Sequence, residues 1–309
     1  MDYNIPKRKL GKTGLDVTII GLGGAGFAPN KTVNFFERPM DDCLAIETIQ
    51  TAVEKGINLI DTSPFYGDSE RRIGLFFKDY KNRDSIVLST KAGTGPGYLG
   101  YSKDNFRRSV ENSLKKLNID YIDILHIHDP DEVGFEQALG KKGAIKEMIK
   151  MRKEGIVKYF GLGVRSHKLH KRFIESGFAD VIITYLDHNL LRQSAKDLLV
   201  SCEEKNVGVM IGSALCFGRL SGKNPKIMDK HLLNIDKEID FNKLYKMYDW
   251  CIENGLNLQQ VNFNYILNNS SSVILIGSAS PQEVKENIAA TKPFSKDDKY
   301  MEFINHFNL

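Results

Sequence analysis

Short runs of branched apolar residues recur along the chain, and helical patterns lie between them. The runs occupy residues 17–20 (VTII), 57–61 (INLID), 86–91 (IVLSTK), 122–128 (IDILHIH), 159–164 (YFGLGV), 181–186 (VIITYL), 208–212 (GVMIG) and 272–277 (SVILIG). Each has strand length and is rich in isoleucine and valine. Between them, residues 41–56 place Leu44, Ile49 and Val53 at helical spacing and end at Gly56, which suits a helix C-terminus. Residues 102–118 open at Ser102, a candidate N-cap, and residues 144–155 and 194–206 have the same helical look. Alternation of strand and helix predicts a parallel sheet. Eight such units predict a (β/α)8 TIM barrel in the α/β class, a single domain over residues 1–309. That fold usually takes about 250 residues. The excess is a head segment (residues 7–16), a long loop over residues 213–240 and a tail after Thr291. A doubly wound sheet is the alternative.

Gly21, Gly23 and Gly26 spell G-x-G-x-x-G directly after the first run. In a Rossmann turn those glycines leave a strand and open a helix whose N-terminus holds a pyrophosphate. Here Pro29 and Asn30 follow at once, and the next helical pattern begins near Met40. The expectation is a glycine-rich loop after the first strand.

In a barrel of this kind the chemistry lies at the C-terminal strand ends. The second run ends in Asp61, with Tyr66 five residues on; the third ends in Lys91; the fourth carries His126 and His128. Successive strands are neighbours, so these groups converge. Alone, Asp61 reads equally as a turn cap, Tyr66 as turn chemistry and Lys91 as a solvated charge. Together they suggest proton transfer. A tyrosine titrates near pH 10, a nearby ammonium favours its phenolate, and a carboxylate keeps that ammonium charged. Such a tyrosine can exchange a proton with a carbonyl or alcohol oxygen as hydride arrives or leaves. His126 and His128 share one strand face. The spacing leaves open which is catalytic; resemblance to enzymes whose catalytic histidine stands two residues before a proline implies His128, with His126 expected as a hydrogen-bonded core residue. A rival reading makes the H-x-H pair, with His167 and His188, metal ligands of a hydrolase on the same fold.

Composition narrows the field. The chain has 309 residues, 41% hydrophobic and 27% charged, which is ample for a globular core. The net charge is only +4 and the basic residues are scattered, so no nucleic-acid or membrane partner is expected. No apolar run approaches the ~18 residues of a membrane helix, and the opening MDYNIPKRKLG carries no signal-peptide core. Cys43, Cys202, Cys216 and Cys251 are far apart, as expected of reduced thiols in a cytoplasmic protein.

The stretches RKLGKTGLDVTIIGLG, GINLIDTSPFYGDSERRIG, STKAG, DYIDILHIHDP, EGIVKYFGLGV and GSASPQEVKENIAA resemble the aldo-keto reductases nearly end to end. The loops IHDPDEVGFEQALG and GSALCFGRLSG are similar to those of the sugar-oxidising, aldose dehydrogenase branch. The resemblance implies a catalytic tetrad of Asp61, Tyr66, Lys91 and His128, and an extended nicotinamide cofactor held without a Rossmann domain. It implies cofactor contacts from Gly23, Gly24, Ser166, Ser213, Leu215, Gly218, Leu220, Gly277, Ser278, Ser280, Glu283, Glu286 and Asn287. No metal is implied, and the partner is a small carbonyl compound or sugar. Relatives that prefer NADP often carry cations where Gly277 and Glu283 stand. Their absence here favours NAD, with NADP the alternative. Ser280, Pro281 and Glu283 also spell a capping box. Substrate loops are expected over residues 27–39, 93–101 and 215–240. Three departures stand out. Arg165 and Ser166 replace the Ser and Asn that often hold the carboxamide, Gly212 stands near the usual stacking Tyr (with Phe217 as a substitute), and Asp129 replaces a frequent Trp. Some relatives are regulatory barrels without catalysis, and that reading remains beside the enzymatic one.

Overall fold

All eight apolar runs contribute to parallel strands, and the strands close on themselves. The computed structural model describes residues 4–28, 40–93, 100–140, 143–228, 239–294 and 298–309. The first strands are β1 (Lys7–Lys9), β2 (Asp16–Thr18) and β3 (Ile20–Gly23), followed by α1 (Asp42–Glu54), β4 (Leu59–Asp61) and α2 (Ser69–Asp79). Then come β5 (Val87–Ala92), α3 (Lys103–Leu117), β6 (Ile122–His128), α4 (Glu132–Leu139), α5 (Ala144–Lys153) and β7 (Val157–Gly163). The order continues with α6 (His167–Glu175), β8 (Val181–Tyr185), α7 (Lys196–Glu204), β9 (Gly208–Gly212), α8 (Phe241–Glu253) and α9 (Leu258–Leu267). It ends with β10 (Ser272–Ile276), α10 (Pro281–Ala290) and α11 (Asp298–His306). Strands β3 to β9 pair in sequence and β10 joins β9 to β3. That closure is the (β/α)8 barrel and excludes the doubly wound sheet.

The first strand lies further along than the apolar run suggested. Val17 and Thr18 belong to β2, which pairs antiparallel with β1 in the head segment, and the barrel strand starts only at Ile20. Gly21 and Gly23 therefore sit inside β3, not in a loop after it, and residues Gly24–Phe27 form a single 3-10 turn. The hairpin closes the barrel's lower end. Leu10 and Val17 pack against Leu59, Val87, Ile124, Val181, Met210 and Val273 in one buried cluster.

These interior residues fix which side chains point inward above them. Strand side chains alternate, so Asp61 follows Leu59, Ser89 and Lys91 follow Val87, and His126 and His128 follow Ile124. The barrel is thus apolar at the bottom and ionisable at the top. Space for His126 comes from the neighbouring strand, since Gly161 is its register partner. A Cβ at Gly161 would stand 2.1 Å from the imidazole Nδ1, so no other residue fits there.

Outside the barrel, Asp41 caps α1 by accepting from the Leu44 amide at 2.7 Å, and Gly56 follows that helix with φ of 96°. Ser102 does stand at the N-cap of α3, but its side chain makes no capping bond. A second apolar cluster, including Leu220, Leu244, Met247 and Phe303, supports the loop after β9 with α8, α9 and α11. Among the described residues no helix is long and apolar enough to cross a membrane.

Candidate active site

Asp61 ends β4 and Lys91 lies near the end of β5, two strands that pair directly. The Lys91 ammonium donates to Asp61 Oδ2 at 2.6 Å and to the Thr62 carbonyl at 2.8 Å, while Ser89 Oγ donates to Asp61 Oδ1 at 2.7 Å. Both side chains of the ion pair are almost fully buried. Burial alone favours the neutral form of each, and each opposes that push on the other. Lys91 ends above its ordinary value, held charged by Asp61 and Tyr66 against its desolvation.

Tyr66 is delivered by a 3-10 turn over Pro64–Tyr66. Ser63 starts that turn by accepting from the Phe65 amide at 3.1 Å, and Pro64 fixes its first residue. The same Ser63 Oγ lies 3.3 Å from His128 Nδ1, which ties the tyrosine turn to β6. Lys91 Nζ stands 5.1 Å from the Tyr66 ring centre, and the Tyr66 and His128 rings meet edge to face at 6.4 Å. Asp61, Tyr66, Lys91 and His128 thus share one end of a cavity of about 620 Å³. The Tyr66 phenol is pushed above its ordinary value, mainly by burial, with Lys91 pulling down and Asp61 and Asp129 pushing up. The expected lowering by the ammonium is present but outweighed. The net effect is a phenol that holds its proton more firmly than usual.

His126 lies one layer below His128 and is fully buried. Neither ring nitrogen has a partner of ordinary hydrogen-bond geometry among the described residues, and the Leu162 backbone is the polar group beside the ring. Its proton affinity falls well below the ordinary range, first through burial and then through the Lys91 charge. The ring is held by shape, in the notch that Gly161 leaves.

From the four residues the cavity runs across the barrel mouth to α10. Gly23, Ser213, Leu215, Gly218, Gly277, Glu283, Glu286 and Asn287 line it. Five other expected contacts do not. Gly24 packs outward, where a Cβ would stand 2.5 Å from Ser69 Oγ. Leu220 is buried in the second apolar cluster. Ser166 caps α6 through the Leu169 amide, and its neighbour Arg165 is drawn to Asp187 at 3.2 Å. Ser278 is behind the wall, where its Oγ accepts from Asn287 Nδ2 at 2.9 Å; Asn287 Oδ1 in turn accepts from Gln259 at 2.5 Å. Ser280 caps α10 through the Glu283 amide at 3.2 Å. The Glu283 carboxylate also accepts from the Ala279 amide at 2.9 Å, one residue before the cap.

The walls suit a dinucleotide. Gly23, Gly163, Gly212 and Gly277 present bare backbone to the cavity, which lets a flat ring or a pyrophosphate approach closely. The far end meets the α10 N-terminus, where backbone amides favour anionic groups. Sequence reasoning left one wall aromatic unplaced. Tyr185 lines the cavity as the register partner of Gly212, so the ring stands one strand away from the position first considered. It also missed Phe65, Gln259 and Lys223, which line the cavity, and Ser63 and Ser89, which support its polar groups. The Ser-Pro step before Phe65 was the available signal for Ser63.

Asp129 is a further cavity residue. Its backbone has φ of 36°, and its amide donates to the Gly163 carbonyl at 2.8 Å. The carboxylate accepts from Tyr185 Oη at 3.3 Å and lies 3.5 Å from His128 Nε2. Its pKa is raised by partial burial, against the Tyr185 bond and Lys91.

The metal reading finds no geometry. His188 is enclosed against Tyr265 at 5.3 Å, His167 pairs with Asp187 at 3.3 Å, and neither joins the β6 pair. Among the described residues no cluster of three or more His, Cys, Asp or Glu side chains could hold a metal. The expected substrate loops lie partly outside the described residues, at 29–39, 94–99 and 229–238.

Comparison with known proteins agrees with this geometry. The profile of the Aldo/keto reductase family matches residues 19–308. The chain is 30% identical to the L-galactose dehydrogenase of Arabidopsis thaliana over 299 residues, covering 93% of this chain and 88% of that one. It is 26% identical to a D-threo-aldose 1-dehydrogenase of a Pseudomonas species over 302 residues, covering 89% of each chain. An aldo-keto reductase of Bacillus halodurans in its holo form superposes with a TM-score of 0.80 at 20% identity, covering 98% and 96% of the two chains, a likeness of fold. The chain belongs to the aldo/keto reductase family. It is an NAD(P)-dependent oxidoreductase.

Proposed function

We propose that the protein is an aldose dehydrogenase, oxidising the anomeric carbon of a small sugar with NAD, and that Tyr66 is its general acid and base. The observation that carries this reading is the convergence of Tyr66, Lys91, Asp61 and His128 at one end of a glycine-walled channel. The sugar class is suggested by the dehydrogenase names of the two relatives.

A nicotinamide lying against Gly23 and Gly212 would accept or supply the hydride. The chain's own residues manage the proton. In the oxidative direction the substrate hydroxyl gives its proton to the Tyr66 phenolate, the form that the Lys91 ammonium favours beforehand, and leaves it as the phenol. In the reductive direction Tyr66 Oη–H donates to the carbonyl oxygen; burial keeps the phenol protonated, and the Lys91 ammonium favours release of that proton. Asp61 holds Lys91 in place and charged. His128, tied to Ser63, orients the reacting oxygen.

NAD is preferred because the Glu283 carboxylate lines the channel, where it accepts from the Ala279 amide. A carboxylate there accepts from a ribose hydroxyl and repels a phosphate.

The test is a panel of aldoses, simple alcohols and aldehydes with both cofactors, followed at the nicotinamide absorbance. Oxidation of at least one aldose, faster than that of any simple alcohol, is expected. Tyr66→Phe should lower that turnover by at least about 100-fold while cofactor affinity holds. Failure to oxidise any aldose, or a Tyr66→Phe enzyme keeping a tenth of its turnover, overturns the reading.

A further inference from the structure

We propose that Asp129 is the specificity-determining residue of this site, accepting a hydrogen bond from the substrate hydroxyl on the carbon next to the reacting one. The inference rests on the aldose reading above and deepens it to a class: neutral sugars with a free vicinal hydroxyl.

The backbone carries the first part of the argument. Asp129 directly follows His128 at the end of β6 and adopts φ of 36°, a left-handed conformation uncommon for a residue with a side chain. The bend is anchored by the Asp129 amide on the Gly163 carbonyl at 2.8 Å. It turns the carboxylate back over the strand end into the cavity, where an extended residue would carry on away from it. Strained backbone of this kind persists where the surrounding structure holds it, and it concentrates at sites of function.

The second part is the company the carboxylate keeps. The cavity it faces is lined also by Phe65, Ile183, Tyr185, Leu186 and Leu275. A carboxylate has about four acceptor positions. Those described for Asp129 are the 3.3 Å bond from Tyr185 Oη and the 3.5 Å approach of His128 Nε2, both long. The group is 40% exposed, toward the cavity it lines, so it has capacity left for a donor arriving there. Position then selects the donor. His128 faces the reacting oxygen, and Asp129 is beside His128. The substrate oxygen one carbon away from the reacting one is the group that falls in front of it.

Charge adds a second consequence. A carboxylate in this place accepts from a neutral polyol and repels a substrate that itself carries a carboxylate. Sugars with a hydroxyl at the neighbouring carbon are taken, and deoxy sugars and uronic acids are discriminated against.

The test compares kcat/KM for the best aldose of the panel, its 2-deoxy analogue and its uronic acid, in the wild type and in Asp129→Asn. Asparagine tolerates the left-handed backbone as aspartate does and has nearly the same shape, so folding is preserved. A bond to a charged acceptor predicts that the wild type prefers the aldose over the 2-deoxy sugar by about 10- to 100-fold. In Asp129→Asn that preference should shrink at least fivefold, mainly through KM, and the relative rate on the uronic acid should rise. An unchanged aldose to 2-deoxy ratio overturns the proposal, as does an equal loss on both, which would mark Asp129 as a support for His128 only. If the wild type oxidises no aldose, the proposed function fails and this inference with it; if it does and the ratio stays put, only this inference fails.

Discussion

The Asp61–Lys91 pair offers a way to separate what the site costs in stability from what it gives in chemistry. Lys91→Met removes the ammonium but keeps most of the side-chain volume. It leaves the Asp61 carboxylate buried with Ser89 as its one remaining hydrogen-bond partner among the described residues. Breaking a buried pair from one side typically costs about 3–5 kcal/mol, because the remaining charge is uncompensated. That is a large part of the ~5–15 kcal/mol available to a folded domain. At roughly 2 °C per kcal/mol for a large domain, the melting temperature should fall by about 6–10 °C. The stranded carboxylate can also take up a proton. Its folded pKa then lies above its unfolded value, so the native state binds the extra proton and the penalty shrinks as pH falls. Asp61→Asn in the Lys91→Met background removes the charge while retaining an acceptor for Ser89. The double variant should recover at least half of the single variant's loss, yet stay about 100-fold or more below wild-type turnover. Urea unfolding of the wild type, Lys91→Met, Asp61→Asn and the double variant at pH 8 and pH 5.5, beside turnover with the preferred aldose, gives both answers. A Lys91→Met loss below about 1 kcal/mol, or double-variant losses that simply add, would refute the buried-pair argument. Recovery of activity together with stability would show that Lys91 is structural and not part of the proton transfer.

Three further outcomes follow from the same geometry. His128→Ala should cost turnover more than stability and His126→Ala the reverse, by about 2–4 kcal/mol for the cavity it opens; kinetics and thermal melts with the opposite ranking would show the wrong imidazole was assigned. Glu283→Arg should shift the ratio of NAD to NADP dissociation constants toward NADP by at least about tenfold, read by fluorescence titration at one ionic strength; tighter NADP binding by the wild type would sink the preference. Acid should destabilise the protein well above the carboxylate range, because His170 and His188 are buried neutral with proton affinities lowered, chiefly by burial, to about 4. Unfolded histidine titrates near 6.5, so the unfolded state gains protons first. Stability is intact above about pH 7 and is lost as pH falls from ~6.5 to ~4, by roughly 3 kcal/mol per histidine. A flat urea midpoint between pH 7 and pH 5 contradicts this.

The barrel was legible because its signal is periodic and repeated. Eight apolar runs and the helices between them constrain one another, and errors of a residue or two at each end do not change the topology. The exception is instructive. Residues 17–20 form one continuous apolar run, but the chain changes sheets inside it, from the hairpin strand β2 to the barrel strand β3. Composition carries no mark of that change. The break depends on Ile20 pairing with Ile274, a residue 254 positions away, and local pattern cannot see it.

The candidate site divides along the same line. Asp61, Lys91 and His128 were legible as strand-end residues because ionisable groups seldom end buried parallel strands without a reason. What escaped was anything set by the register between strands. Gly161 accommodates the His126 ring, and Tyr185 stands beside Gly212, each through a partner on the next strand. In both cases a bulky ring on one strand is matched by a glycine on its neighbour. The volume facing the cavity is a property of the pair and not of either position. Read one strand at a time, Gly212 looks like a missing aromatic and Gly161 like a weak strand residue. Read across the sheet, β8 supplies the ring and β9 the gap, so the wall keeps an aromatic at a shifted position. The same shift brings Tyr185 Oη to Asp129, and it couples the aromatic wall to the carboxylate beside His128.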